Sequence, residues 1–308
     1  MKTYLEKFIL PTQDGEEASL SRDFNDYKLL EISTPYPYGI FGWKEFSEID
    51  FAPITIFYGG NGSGKSTLLN VMTEVLKIRR IAPRNDSEIF SEYCNLCKVK
   101  TGWDEDYDIP LNVPSGSALL TSDDVFEYML ASRMHNSELD EEYKKAYEYY
   151  ICVGRAGNSC SSVQDCFGIE DYEEQRKIVL ALKRSHSARV FAEKVIGKKV
   201  KPNSNGETAI DFFNKKIKDG KLYLLDEPEN SLSPKLQLEL IKILEESVRY
   251  LDCQLVIATH SPLLLSMEGA KIYDLDSTPV DIKKWYELEN VKIYFEHFYK
   301  NKNLFNKK

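Results

Sequence analysis

Histidine is scarce in this chain. Only four occur in 308 residues, His135, His186, His260 and His297, and no HNH-like nuclease set can be assembled from them. Cysteine is sparse as well: six in a chain of this size do not make a disulfide framework, so reduced thiols are expected. No apolar run approaches the ~20 residues that a membrane-spanning helix needs. The first twenty residues, MKTYLEKFILPTQDGEEASL, hold a short apolar patch followed by acids, so no secretory leader is expected and a cytoplasmic location is. There is no internal repeat and no low-complexity tract. Positive charge is in deficit, 40 Lys and Arg against 49 Asp and Glu for a net −9, so any nucleic-acid contact needs a local basic patch. With 42% hydrophobic and 29% charged residues the composition is that of a folded chain large enough for a sizeable core.

The informative patterns lie at the two ends of the chain. Residues 45–58, EFSEIDFAPITIFY, read as one or two strands broken near Pro53. A glycine-rich stretch follows, and a helix opens at Lys65 with Leu68, Leu69, Met72, Val75 and Leu76 at helical spacing. From 221 the α/β rhythm returns: KLYLLD (221–226) as a buried strand, an amphipathic helix over 233–250, QLVIAT (254–259) as a second strand and KIYDL (271–275) as a third. Continuous apolar strands alternating with helices imply a parallel sheet covered on both faces. The middle is different in character. A helix is expected after the Ser122/Asp123 cap signal, a second over 140–150, and one long helix from about Asp171 to Ile196. The expected division is 1–85 as the first part of the core, 86–200 as a mainly helical insertion, and 201–308 as the second part of the core.

Residues 59–67, GGNGSGKST, fit the phosphate-loop pattern. Glycines let a backbone curl so that its N–H groups point inward at an anion, and the helix start adds the positive end of its dipole. Asn61, Gly62, Ser63, Gly64, Lys65, Ser66 and Thr67 are thus candidates to cradle a triphosphate. Lys65 would reach the β- and γ-phosphates and Ser66 would bind Mg²⁺. In LYLLDEPE (222–229), Asp226 and Glu227 end a buried strand, where ligands bind in open α/β sheets. Asp226 would hold Mg²⁺ and Glu227 would act as general base on water. His260, at the end of the next strand, would hydrogen-bond the γ-phosphate and the attacking water.

Together these segments resemble the ABC-type ATPase superfamily: Walker A at 59–67, Walker B and its glutamate at 222–227, a D-loop at 229–234 (ENSLSP) with Ser231 and Ser233, and a switch histidine at His260. The fold implied is α/β, a P-loop NTPase of the ABC type with a largely helical insertion. The resemblance also implies a signature segment before Walker B. NSNGE (203–207) is its best match, with Ser204 and Gly206 fitting, Glu207 in place of glutamine, and Asn203 and Asn205 replacing the usual leucine and glycine. That segment would close over the γ-phosphate of a second copy, which implies a head-to-tail, ATP-dependent homodimer. The family's glutamine loop is not matched, Ser122 and Asp123 being weak stand-ins, and Tyr36, Tyr38 and Phe41 are candidates for either adenine stacking or packing. The segments 225–234 and 257–276 look like the stand-alone bacterial ABC ATPases near the SMC-like and anti-phage-defence branches, in which a separate effector, often a nuclease, does the damaging chemistry. Two alternatives follow from the same residues, an ATP-binding module that restrains an effector with little turnover and the ATPase subunit of a membrane transporter.

Two weaker constellations remain. Cys94, Cys97, Cys160 and Cys166 are either free thiols or a four-thiolate zinc site. Lys77, Arg79, Arg80 and Arg84, with Lys194, Lys198, Lys199, Lys201 and the basic C-terminal stretch, are either solvated faces or a DNA or RNA track.

Overall fold

The computed structural model describes residues 2–23, 35–83, 86–104, 108–155, 167, 171–185, 187–196 and 205–305. It falls into two compact units, one formed by Met1–Phe126 with Ala209–Lys308 and one by Glu127–Thr208. Residues 86–126, assigned above to the insertion, lie in the larger unit.

In chain order the larger unit begins with β1 (Leu5–Ile9), α1 (Gln13–Asp23), β2 (Glu48–Asp50), β3 (Ile54–Tyr58), α2 (Lys65–Val75) and α3 (Phe90–Leu96). It continues with β4 (Lys98–Thr101), β5 (Trp103–Asp104), β6 (Ile109–Pro110), β7 (Ala118–Thr121) and the start of α4 (Ser122–Arg155). The smaller unit carries the rest of α4, α5 (Tyr172–Lys183), α6 (Ala188–Val195) and the first turn of α7 (Asn205–Lys216). The chain returns through β8 (Leu222–Asp226), α8 (Pro234–Tyr250), β9 (Gln254–Thr259), β10 (Lys271–Asp274), β11 (Asp281–Lys283), α9 (Glu289–Lys300) and α10 (Lys302–Phe305).

The central sheet has the order β11-β10-β3-β9-β8-β7. Strands β10, β3, β9, β8 and β7 are all parallel, and β11 closes one edge antiparallel to β10. The sequence pattern dictates this. ITIFY, LYLLD and QLVIAT have no polar alternation, and β3 and β9 are buried along their whole length, as strands covered on both faces must be. Pro53 interrupts the run before β3 and leaves β2 to pair with β1 in a second, antiparallel sheet of order β2-β1-β4. Buried side chains join the two sheets: the Tyr273 hydroxyl of β10 accepts from the Asp50 amide and donates to the Asp50 carbonyl, both at 2.9 Å, and Gln254 at the start of β9 accepts from the Leu5 amide and donates to the Leu5 carbonyl, both at 2.8 Å. The Gln254 side-chain amide thus imitates a strand's backbone and satisfies groups that would otherwise be desolvated without partners.

The helical readings need correction in two places. The expected pair of helices at 122 and 140 is one continuous helix, α4, with Thr121 rather than Ser122 as its cap: the Thr121 hydroxyl accepts from the Asp124 amide at 3.2 Å, and the Asp124 carboxylate accepts from the Thr121 amide at 2.8 Å. The long helix expected over 171–196 is two, because the Ser187 hydroxyl caps a fresh start by accepting from the Val190 amide at 3.3 Å. Their shared apolar face still forms the smaller unit's core, where Tyr149 and Phe191 stack at 6.1 Å beside Ala146, Ile178 and Ala192.

α9 is exceptional in the larger unit. Val291 is buried, but Ile293, Tyr294, Phe295, Phe298 and Tyr299 are all exposed, as is Phe305 in α10. No helix among the described residues is long and apolar enough to cross a membrane.

The central strand gives the fold's most direct stability test. Ile257 is fully buried in β9, so Ile257→Ala is expected to cost about 2–5 kcal/mol by urea denaturation.

Candidate functional site

The register of β3, β9 and β8 decides what meets at their carboxyl ends. Tyr58 pairs with Thr259, and Asp226 with Ala258, so the three strands finish almost level. The phosphate loop leaves β3, the acidic pair ends β8, and His260 ends β9 between them.

The loop turns through two glycines in the left-handed region, Gly62 (φ 84°) and Gly64 (φ 101°). A β-carbon at Gly64 would also approach Ile40 and Phe41 at 3.0 and 3.1 Å, so both conformation and space demand glycine there. Helix α2 begins directly afterwards, and its first amides have no acceptor inside the helix. Asn61, Gly62 and Ser66 are exposed, Thr67 is half-buried, and Ser63 and Lys65 are buried. The Lys65 ammonium donates to the carbonyls of Gly59 (2.8 Å) and Gly60 (2.9 Å) and lies 3.8 Å from Glu227 Oε1.

The two halves of the site touch. Ser66 Oγ donates to Asp226 Oδ1 at 3.1 Å across 160 residues of sequence. Burial raises the Asp226 carboxyl to about 6; the Ser66 hydroxyl opposes that, Glu227 adds to it and Lys65 opposes it. Glu227 itself sits in the left-handed region at φ 48°, with its amide donating to the Ala258 carbonyl at 2.9 Å. A non-glycine residue in that region is strained backbone, held here by the sheet and by Asn230, whose side chain donates to Glu227 Oε2 at 3.1 Å. His260 Nδ1 lies 3.4 Å from Glu227 Oε1. The sequence-predicted residues Lys65, Ser66, Asp226, Glu227 and His260 are therefore brought together.

A hydroxyl and a desolvated carboxylate side by side form an all-oxygen donor set of the kind hard divalent cations take. Asp226 is costly to ionise without such a cation. Ser66 and Asp226 thus fit Mg²⁺ on the chemistry of their donors.

Three further groups belong to this site without an individual role in the sequence reading, although Glu229 opens the segment 229–234 read as a D-loop. Glu229 is buried; its Oε1 accepts from Thr259 Oγ1 at 2.6 Å and from the His260 amide at 3.3 Å, tying the loop after β8 to the end of β9. Burial raises its carboxyl above the ordinary range. Asp276, just past β10, accepts from the Gly60 amide at 2.8 Å. Lys44 is buried behind the loop and donates to Ser63 and Leu275. The strand–loop pattern of IYDLDS could have pointed to Asp276; Lys44 gives no local signal.

Other expected residues fall differently. Gly206 is buried and Glu207 exposed in the first turn of α7, while Ser204 lies outside the described residues. Ser231 adopts φ 69°, and Ser233 precedes α8 without a side-chain cap bond. Ser122 and Asp123 follow Thr121, which pairs in register with Asp226, so the stand-ins for a glutamine loop sit at the same sheet edge. Tyr38 and Phe41 are buried in the core, and Tyr36 stacks on Phe90 at 5.7 Å, which makes all three packing groups in this structure. Cys94 and Cys97 are buried and joined in no disulfide, and burial raises the Cys97 thiol; Cys160 and Cys166 lie outside the described residues, among which no metal-ligand cluster occurs. Arg80 spends its guanidinium on Asn70 and on the carbonyls of Ala82 and Pro83. The Lys194 ammonium donates to the Arg184 carbonyl, and Arg84, Lys198, Lys199 and Lys201 lie outside the described residues.

A parallel sheet in this order, a glycine loop feeding a helix from β3, and an acidic pair ending β8 with one strand between them define an ABC-type P-loop NTPase fold. Residues 211–266, which hold β8, the acidic pair and His260, match the family described as "AAA domain, putative AbiEii toxin, Type IV TA system". Among solved structures, an Smc head domain from Pyrococcus furiosus, bound to the C-terminal domain of ScpA, is 13% identical and covers 95% of this chain and 99% of its own, at a TM-score of 0.38. CbiO1 from Clostridium perfringens, part of an ABC transporter complex, is 18% identical over 82% of this chain and 85% of its own, at 0.35. At such identities and TM-scores these likenesses do not bear on function. No curated protein matches the chain.

The Asp226 carboxyl gives a pH test with a definite sign. Because its folded pKa is raised from 3.8 to about 6, the folded chain binds the proton more tightly than the unfolded chain does, and stability falls as pH rises through that window. Asp226→Asn is therefore expected to stabilise the nucleotide-free protein by about 3 kcal/mol at neutral pH and to flatten that slope, as read by urea denaturation across the range.

Proposed function

We propose that this protein is an ATPase that binds ATP with Mg²⁺ and cycles between open and closed forms. The observation that carries the reading is the meeting of the phosphate loop with the acidic strand end, Ser66 Oγ on Asp226 Oδ1 at 3.1 Å with Lys65 and Glu227 beside them. Lys65 exchanges its loop carbonyls for phosphate oxygens, and the inward amides of 61–67 take the remaining charge. Ser66 and Asp226 hold the metal; when bound, Mg²⁺ neutralises charge on the phosphate oxygens. Glu227, fixed by its strained backbone and by Asn230, accepts a proton from the attacking water. His260, 3.4 Å from Glu227, orients that water and the terminal phosphate.

The finer reading is a head-to-tail homodimer formed on ATP, in which Ser204, Gly206 and Glu207 of one copy close over the site of the other, flanked by the D-loop serines Ser231 and Ser233. This rests on the resemblance of 203–207 to a signature segment. The biological role proposed is that of the regulatory or motor subunit of a bacterial anti-phage-defence or DNA-associated complex, with a separate protein effector. The exposed aromatic face of α9 supports a protein partner, since a helix apolar on several sides is ordinarily covered.

Glu227→Gln is expected to slow ATP hydrolysis by ~100-fold or more while keeping nucleotide affinity, and to trap an ATP-dependent dimer in sedimentation. Equal turnover by the two proteins would remove Glu227 from the reaction.

A further inference from the structure

Lys44 ends a short 3₁₀ turn, Gly42–Lys44, 15 residues before the phosphate loop begins at Gly59. Long cationic side chains are rarely buried without a reason, yet this one is only 7% exposed. Its ammonium donates to the Ser63 carbonyl at 2.9 Å and to the Leu275 carbonyl at 2.6 Å. Ser63 belongs to the phosphate loop; Leu275 follows β10, and its own amide donates to the Tyr58 carbonyl at the end of β3. The ammonium therefore staples the loop's outer side to the neighbouring strand end. Its backbone is fixed in turn, for its carbonyl accepts from the Val280 amide at 3.1 Å. Burial lowers the Lys44 pKa, and the Asp276 and Asp274 carboxylates oppose that. The same Asp276 holds the Gly60 amide, so the loop is gripped at two points, Gly60 and Ser63, with Asn61 and Gly62 spanning between them.

A carbonyl drawn outward by a cation leaves its peptide dipole with the positive end turned the other way. A charge set behind the loop in a poorly solvated place also acts on a bound anion more strongly than the same charge in water would. We propose that Lys44 is a positioning residue for the phosphate loop: it holds the Ser63 carbonyl away from the nucleotide, keeps the loop in its anion-binding shape, and raises affinity for a triphosphate that it does not touch. This rests on the nucleotide reading above and adds to it a cation outside the motif.

The test compares wild type, Lys44→Met and Lys44→Arg in the full chain by two readouts. The first is the Kd for ATP with Mg²⁺ by calorimetry. Lys44→Met is expected to weaken it by ~10-fold or more, with Lys44→Arg recovering part of the loss because it keeps the charge. The second is hydrogen exchange of the amides of 59–64 without nucleotide, expected to quicken in Lys44→Met while the amides of β8 and β9 stay as protected as in wild type. Unchanged affinity together with unchanged exchange would overturn the proposal, as would equal losses in Lys44→Met and Lys44→Arg with uniformly faster exchange, which would mark a packing role only. If Lys44→Met does not fold, Lys44→Gln, which keeps one donor without the charge, is read by the same outcomes. A wild-type chain that bound no ATP would defeat the proposed function, while the exchange comparison would still decide whether Lys44 shapes the loop.

Discussion

Strand β9 lies hydrogen-bonded between β3 and β8, and that placement constrains everything at the site. With Tyr58 level with Thr259 and Asp226 level with Ala258, the loop that follows one strand and the carboxylates that end another are separated by a single strand's width on each side. Apolar side chains hold the register. Ile56, Leu224 and Ile257 are buried without residual exposure, and a slip by one residue would turn each of them to the opposite face. The contact between Ser66 and Asp226 is thus a consequence of core packing as much as of local motif.

Charge at this edge is arranged under tension. Asp226, Glu227 and Glu229 crowd together, burial makes Asp226 and Glu229 reluctant to ionise, and the cation Lys65 stands close to Glu227. Glu227 is further held in an unfavourable backbone region. Such strain and desolvation persist only where the surrounding structure over-determines them, and they concentrate at functional sites. Here the determinants are identifiable: the Ala258 carbonyl, Asn230, and the bonds from Thr259 and the His260 amide to Glu229.

Much of this was legible in the sequence for a physical reason. Fully buried parallel strands leave unbroken apolar runs, and a phosphate loop can be built from few residue types, so β3, β8, β9 and 59–67 announce themselves. The breaks in the helical region were less legible. Over 122–150 α4 runs through a stretch of mixed charge and aromatics where no glycine or proline marks continuity or interruption, and the break before α6 depends on one serine, Ser187, acting as a cap. Glu229 falls in the segment read as a D-loop and Asp276 in a strand–loop pattern, but the bonds that place them at the site, like those of Lys44, run to distant segments and leave no local signal. A lysine in a tryptophan-containing loop reads as surface. Lys44 is instead buried because two carbonyls, from segments 19 and 231 residues away, converge on it.

The central claim is that the loop after β3 and the carboxylate ending β8 jointly hold a nucleotide's phosphates and a divalent cation. Crystals grown with Mn²⁺ and a non-hydrolysable ATP analogue test it most directly through the metal's anomalous scattering. The account requires a single strong peak bonded to Ser66 Oγ and on the Asp226 side of the loop, with Lys65 on the phosphates. A nucleotide bound elsewhere, or a peak remote from both Ser66 and Asp226, would contradict it.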